Sequence, residues 1–308
     1  MRIVQGLESY RPEPQPAVVA LGVFDGVHLG HREILGAAVT RARAGGFVAI
    51  ACTFEPHPME VLQAGRAPAP IATLAERLDL IATTGVDTTV VLPFTRELAA
   101  VEPEAFVKDV VLQRLRGREI VVGFNHTFGR GARGNARLLE EMAPRLGFRV
   151  DVVPPRVVDG VPVSSSEIRE ALRLGDVERA GRYLGRPYAI RGTVVAGAGR
   201  GRTLGFPTAN IRPDRPLLIA TGVYAGTVEE AGERHGAVVN LGIRPTFGEN
   251  QLVVEAHLLD FVGDLYDRTV NLAFLARLRE ERKFADVSAL RRQIAEDLEL
   301  ARKRLQAR

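Results

Sequence analysis

Two histidines three residues apart, His28 and His31, stand in LGVFDGVHLGH, residues 21–31, together with Gly22, Gly26 and Gly30. Near neutral pH a histidine donates a hydrogen bond to phosphate, as a cation or as a neutral tautomer. Glycine lets backbone N–H groups approach an anion closely. The run PAVVALGVF before the motif reads as a strand, and the chain from His31 onward has helical spacing. The glycines then lie on a strand-to-helix turn, where a helix N-terminus adds donors of its own. A metal site is one competing reading. Zinc histidines on a helix usually stand four apart with a glutamate between them, whereas these stand three apart with glycine and no obvious third ligand. A glycine-rich turn that merely contains histidine is the other.

Two further clusters carry chemistry. SSSEIR places Ser164, Ser165, Ser166 and Arg169 at the start of a second helix, with Ser164 and Glu167 spaced as a capping box. Hydroxyls and a guanidinium there form an anion cradle, although serine alone is an ordinary cap. GAGRGRTLGFPTAN, residues 197–210, has glycines at 197, 199, 201 and 205, then Pro207, Thr208, Ala209 and Asn210. No Gly-Lys-Ser/Thr follows, so it is not a P-loop; a glycine-rich hairpin on a barrel is the plain alternative. Thr208 and Asn210 alternate along an extended segment and share one side. They supply the oxygens that Mg²⁺ takes together with ATP phosphates.

The elements that must position these residues change character along the chain. The first half alternates: PAVVALGVF, FVAIACTF, TTVVLPF, EIVVGF and FRVDVVPPRV are strand-like. HREILGAAVTRARAGG, LAERLDLIATTG, EAFVKDVVLQRLRG and NARLLEEMAPRLG between them are helical. That alternation predicts βαβ units and a parallel sheet covered on both faces, with a ligand crevice at the C-terminal ends of the strands. VSSSEIREALRLGD and DVERAGRYLG follow as helices. After Gly185 come short strand-like runs punctuated by Gly, Pro and Asn, the rhythm of a small antiparallel barrel. A last helix is expected from about Asp286, with Val287, Leu290, Ile294 and Leu298 on one face. The expected boundary falls at residues 185–189, giving domains 1–185 and 186–308.

Composition bounds the rest. The chain has 308 residues, 46% hydrophobic and 25% charged, enough for two domains with real cores. No apolar run approaches membrane-spanning length, and no secretory leader is evident, so cytoplasmic residence is expected, with no membrane partner. Cys52 is the one cysteine and lies in FVAIACTF, where an inert core thiol is expected. Net charge is +4, and a nucleic-acid binder would be one explanation. The basic residues are interspersed with acidic ones and form no dense block, so anionic small substrates, or plain compositional drift, explain the charge equally well, and no nucleic-acid partner is expected.

At these motifs the chain resembles a known family. GVFDGVHLGH with SSSEIR far downstream resembles the nucleotidyltransferase superfamily, and TFEPHP with VVGFNHTFGRGARGN narrows this to the prokaryotic bifunctional riboflavin kinase/FAD synthetase family. The resemblance implies an N-terminal Rossmann-like nucleotidyltransferase domain that adenylylates FMN to FAD with release of pyrophosphate. His28 and His31 would hold ATP phosphates, Arg169 would stabilise pyrophosphate, and Asn125 would contact nucleotide or flavin phosphate. Gly22, Phe24, Asp25, Gly30, Ser164 and Ser165 complete the implied nucleotide site. Where the family often carries Asp-Phe this chain has Asn125 and His126, and its third motif reads Ser-Ser-Ser rather than Ser-Ser-Thr.

GRTLGFPTAN, NLGIRPTFG (residues 240–248) and VEAHLLDF resemble the riboflavin kinase module, which implies a Greek-key β-barrel that phosphorylates riboflavin to FMN and releases ADP. Glu255 matches its catalytic base. Gly199, Gly201, Arg202, Gly205, Thr208 and Asn210 match its nucleotide-binding residues, with Mg²⁺ on Thr208 and Asn210 and ATP as co-substrate. A nucleotidyltransferase with another substrate is one rival, disfavoured by the kinase-like half. A basic flavin- or nucleic-acid-binding regulator is another, disfavoured by the intact set His28, His31, Arg169, Thr208, Asn210 and Glu255. The sequence leaves the oligomeric state open.

Overall fold

The structure, a computed structural model, describes residues 1–63, 65–197, 199–246 and 249–306. By internal contacts the chain divides into two compact units, Met1–Ser165 and Ser166–Arg308.

The first unit is built on six strands: β1 (Arg2–Gln5), β2 (Ala17–Leu21), β3 (Val48–Glu55), β4 (Thr88–Pro93), β5 (Gly117–Gly123) and β6 (Arg149–Val153). They form one parallel sheet in the order β1-β4-β3-β2-β5-β6. Strand β2 explains why its sequence is apolar without alternation. Ala17, Val19 and Leu21 enter the core on one face, and Val18 and Ala20 enter the core on the other. Helix α1 (Leu29–Gly45) covers the second face through Ile34, Leu35, Ala38 and Ala42, whose small alanines let it lie close to the sheet. It stops where Gly46, at φ 67°, turns back and donates to Ala42 O. Helices α2 (Leu74–Ala82) and α3 (Ala136–Leu146) complete the expected alternation. Cys52 is wholly buried in the core, and burial pushes its thiol up to about 12, an inert state.

Two elements differ from expectation. The edge strand β1 was not expected; only Val4 of its four residues is buried, too little for a pattern. The helix expected over EAFVKDVVLQRLRG is a short α-turn, Pro103–Ala105, followed by π-helical Phe106–Arg114. The wider turn brings Phe106, Val107, Val111 and Leu115 to one core.

Chain order sets the crevice. From β2 the sheet grows through β3 and β4 in one direction, while β5 and β6 lie on the other side of β2. The strand order therefore reverses between β2 and β5, and ligands of such sheets bind outside the C-terminal ends there. LGVFDGVHLGH leaves β2 at that end, and Phe124-Asn125-His126 leaves β5 at the same end.

In the second unit, helices α4 (Ser165–Arg173) and α5 (Val177–Leu184) precede a closed barrel. Its strands are β7 (Tyr188–Val195), β8 (Ala209–Pro213), β9 (Gly222–Glu230), β10 (Glu233–Thr246), β11 (Glu249–Leu258) and β12 (Thr269–Arg279). They close in the order β7-β8-β11-β10-β9-β12, every pairing antiparallel. The rings of Tyr188, Tyr224 and Phe274 pack together at its centre. Ala220 N–H donates to Leu172 O at 3.0 Å, and Arg277 donates to Leu174 O at 3.3 Å, so the end of α4 is fastened to the barrel. By contacts α4 and α5 thus go with the barrel, while the boundary read from sequence lies on their far side.

Helix α6 (Val287–Gln306) packs on the outside of the barrel. The face expected to be buried is only partly so: Leu290, Ile294 and Leu298 are half-buried, with Leu298 against the barrel. Val287 is exposed, and the buried residues are Asp297 and Ala301. Asp297 accepts from Arg279 Nε and Nη2 at 2.7–3.1 Å and from Gln293 Nε2 at 2.9 Å, which is why a carboxylate tolerates burial there.

Candidate active sites

At the turn after β2 the backbone is unusual. Phe24 (φ 54°), Gly26 (φ 75°) and Val27 (φ 40°) are all left-handed. Two non-glycine residues in that region mark a loop held by its surroundings. The holding groups are visible. Phe24 is fully buried, and the Asp25 carboxylate accepts from Ile71 N–H (3.0 Å) and Ala72 N–H (3.3 Å). Thr53 Oγ1 donates to Val23 O at 2.9 Å. Arg77 Nη1 donates to the same carbonyl at 3.0 Å, while Nη2 reaches Phe54 O (2.9 Å) and Glu55 (2.7 Å). Burial lowers the Arg77 pKa, and the charges of Glu55 and Asp25 oppose that fall.

The glycines have steric roles that the sequence did not expose. A Cβ at Gly22 would come within 2.7 Å of the Phe24 ring, and one at Gly26 within 2.7 Å of Ile71 Cγ2. A Cβ at Gly30 would meet His28 Cε1 at 3.3 Å. Each glycine makes room for a neighbouring side chain, Phe24 and His28 from the turn itself and Ile71 from outside it.

His28 is the N-cap of α1: its Nδ1 accepts from His31 N–H at 3.3 Å. An acceptor nitrogen carries no proton, so in the neutral ring the proton sits on Nε2. The two imidazoles stack at 3.5 Å and 19°, and the Phe24 ring meets His31 edge-on at 5.5 Å. Rings that share a tetrahedral metal radiate from it; these lie face to face. Ser165 Oγ donates to Asp25 O at 3.3 Å. Arg169 is buried on α4.

Across the crevice, the Asn125 side chain lies over Gly123 at the end of β5, its Oδ1 3.6 Å from where a Cβ would stand. The neighbouring His126 stacks on Phe128 at 5.7 Å and 18°. Its Nε2 is enclosed without a hydrogen-bond partner, and burial pushes the ring down to about 4. At neutral pH it is an uncharged aromatic.

On the barrel, Val239, Leu241, Val254, Ala256 and Ile211 are buried. The residues alternating with them therefore point to the opposite face. Asn210 pairs with Glu255, and Glu255 pairs with Asn240, across adjacent strands β8, β11 and β10. Directly opposed Cβ atoms stand about 4.5–5.5 Å apart, so an amide, a carboxylate and an amide form one row. Gly197 and Gly201 lie against one end of it. A Cβ at Gly197 would overlap the Asn210 amide, and one at Gly201 would overlap Phe206 O and stand 3.0 Å from Thr208 Oγ1. Gly199 (φ 67°) and Gly205 (φ 88°) bracket a one-turn helix, Arg200–Leu204, on which Arg202 is exposed. Ala198 in this loop, and Phe247 and Gly248 of the NLGIRPTFG motif, lie outside the described residues. Sequence reasoning did not single out Asn240, Arg77 or Thr53. The register of Asn240 against Glu255 becomes visible only once the strands are paired.

Among the described residues no group of three or more His, Cys, Asp or Glu side chains could hold a metal ion. Thr208 and Asn210 offer hard oxygens of the kind Mg²⁺ accepts, two of the six it requires, leaving room for phosphate and water.

Comparison with known proteins agrees with this division. A FAD synthetase family model matches residues 10–167, and a riboflavin kinase family model matches residues 184–305. The chain is 38% identical over 303 residues to a bifunctional riboflavin kinase/FMN adenylyltransferase of Pseudomonas fluorescens, covering 98% of this chain and 97% of that one. It is 36% identical to those of Escherichia coli K12 (96% of each chain) and Bacillus subtilis (93% of this chain, 92% of that one). A crystal structure described as a macrolide-efflux protein from Streptococcus pneumoniae superposes with a TM-score of 0.91 at 32% identity, covering 98% of this chain and 99% of that one. Among the described residues here, no helix is long and apolar enough to cross a membrane. Both family models and near full-length relatives agree: the chain belongs to the bifunctional riboflavin kinase/FMN adenylyltransferase family.

Proposed function

We propose that this protein makes flavin coenzymes in two ATP-dependent steps, riboflavin to FMN on the barrel and FMN to FAD at the crevice of the parallel sheet. The observation that carries the reading is the row Asn210–Glu255–Asn240, with a glycine loop closed against its Asn210 end. The relatives' shared description names both activities.

In the kinase step the terminal ribityl hydroxyl of riboflavin attacks the γ-phosphorus of ATP. Glu255 accepts the hydroxyl proton, the bond from γ-phosphorus to the bridging oxygen breaks, and ADP leaves. Thr208 and Asn210 would hold Mg²⁺, which when bound neutralises phosphate charge. Gly199, Gly201, Arg202 and Gly205 contribute the loop over the nucleotide. In the adenylyl step a phosphate oxygen of FMN attacks the α-phosphorus of ATP and pyrophosphate leaves. The nucleophile is already an anion, so alignment and charge stabilisation suffice without a strong base. His28 donates from Nε2 to a phosphate oxygen, His31 acts beside it, Asn125 contacts nucleotide or flavin phosphate, and Arg169 stabilises pyrophosphate. Gly22, Phe24, Asp25, Gly30, Ser164 and Ser165 form the turn and helix start that place them. The functional halves are residues 1–185 and 186–308, acting in the cytoplasm.

Chromatographic analysis of products from riboflavin, ATP and Mg²⁺ tests this directly. FMN should appear first and FAD after it, with ADP and pyrophosphate formed in step. Absence of either flavin product with a folded protein would refute the corresponding half.

A further inference from the structure

The row on the barrel continues beyond Asn240. Gly242 lies two residues further along β10 and on the same face. A Cβ built there would come within 2.5 Å of Glu281 Oε1 and 3.5 Å of Asn240 Nδ2. The Glu281 carboxylate therefore lies over the Gly242 backbone, next to the Asn240 amide, while Glu281 itself remains exposed.

The segment that carries it is firmly held. Arg279, at the end of β12, donates from Nη1 to Glu280 O at 2.9 Å and binds the buried Asp297 of α6. The guanidiniums of Arg279 and Arg282 both lie over the Phe284 ring, at 5.6 and 5.1 Å. The positions on either side of Glu281 are thus anchored to the terminal helix and to an aromatic ring.

Direction along the row tells what reaches this carboxylate. The phosphate-side ligands Thr208 and Asn210 stand on the β8 side, and Glu255 stands in the middle on β11. A hydroxyl between Glu255 and the γ-phosphate then leads its own carbon chain away toward β10. Two residues of strand span roughly 7 Å, the reach of a short hydroxylated chain. We propose that Glu281 is a substrate-positioning residue of the kinase, accepting hydrogen bonds from the polyol hydroxyls of the flavin. An ionised carboxylate accepts from neighbouring hydroxyls at once. The inference rests on reading Glu255 as the kinase base.

Steady-state kinase kinetics on full-length Glu281→Ala, Gly242→Ala, the double variant and Glu255→Gln test it. Glu281→Ala should raise the riboflavin KM by roughly 10-fold or more, as expected for losing a hydrogen bond to a charged acceptor. The ATP KM, FAD synthesis from supplied FMN and the thermal midpoint should stay near wild type. Gly242→Ala should do the same, because its methyl displaces the carboxylate, and the double variant should be no worse than Glu281→Ala alone. A riboflavin KM within twofold of wild type in Glu281→Ala would overturn the inference, and so would multiplicative losses in the double variant. Full turnover in Glu255→Gln would instead sink the underlying assignment of the kinase site.

Discussion

His28→Asn separates the helix cap seen in the structure from the phosphate donation proposed for the same ring. His28 caps α1 through Nδ1, and the phosphate donor proposed for it is Nε2–H. Asparagine is among the best N-cap residues, and its Oδ1 can accept the same His31 N–H bond. Its amide ends short of the position of Nε2, so the donor is lost. Removing a donor aimed at charge that develops in a transition state costs about 2.7–4 kcal/mol, roughly 10²–10³ in rate. Losing the cap costs about 1 kcal/mol of stability. His28→Asn should therefore hold its urea midpoint near wild type while FAD synthesis from FMN and ATP falls roughly 10²–10³-fold. His28→Ala should lose both, because the cap and the stack on His31 at 3.5 Å disappear together. Kinase activity should be unaffected in either variant. Wild-type FAD synthesis in a folded His28→Asn protein would refute the donor role and leave the histidine as a cap. Equal stability of the two variants would refute the cap.

Arg77→Met should weaken adenylyl transfer without touching the kinase, because it removes the guanidinium donor to Phe54 O and one of the two donors to Val23 O, leaving Thr53 Oγ1 as the other; losing such hydrogen bonds costs about 1–3 kcal/mol, readable by urea unfolding. His126 predicts an acid-sensitive stability. Its folded pKa of about 4 lies below the ordinary value of 6.5, so the unfolded state binds more protons as pH falls and stability drops between those values. Between pH 7 and 4.5 wild type should lose roughly 2–3 kcal/mol more than His126→Phe, from 1.36 kcal/mol per pKa unit; equal losses would contradict the buried neutral ring. Gly201→Ala should depress FMN formation while leaving adenylyl transfer intact, since its methyl has no room beside Phe206 O and Thr208; an unchanged kinase rate would show that the loop does not need to close there.

Much of this molecule is legible in its sequence because local period and local chemistry decide it. The apolar runs of β2, β3 and β5 and the spacing of α1 are set by which face each residue must bury. Other features depend on partners distant in sequence. Asp297 reads as one more polar residue of α6, and only Arg279, 18 positions earlier, explains its burial. Arg77 reads as a helix surface residue until its guanidinium is seen to reach two strand ends. Gly22, Gly26 and Gly30 read as backbone donors to an anion, whereas in the fold the space beside each is taken by Phe24, Ile71 and His28. Strand β1 has four residues and one buried side chain, which leaves no period to detect.

If the chain carries two chemically separate sites, Glu255→Gln should silence one and spare the other. The substitution keeps the shape of the row Asn210–Glu255–Asn240 and removes the base. Supplied with riboflavin, ATP and Mg²⁺, the variant should form FMN roughly 10²–10⁴-fold more slowly than wild type. Supplied with FMN instead, it should make FAD at the wild-type rate. Undiminished FMN formation, or loss of both reactions in a folded protein, would contradict the account.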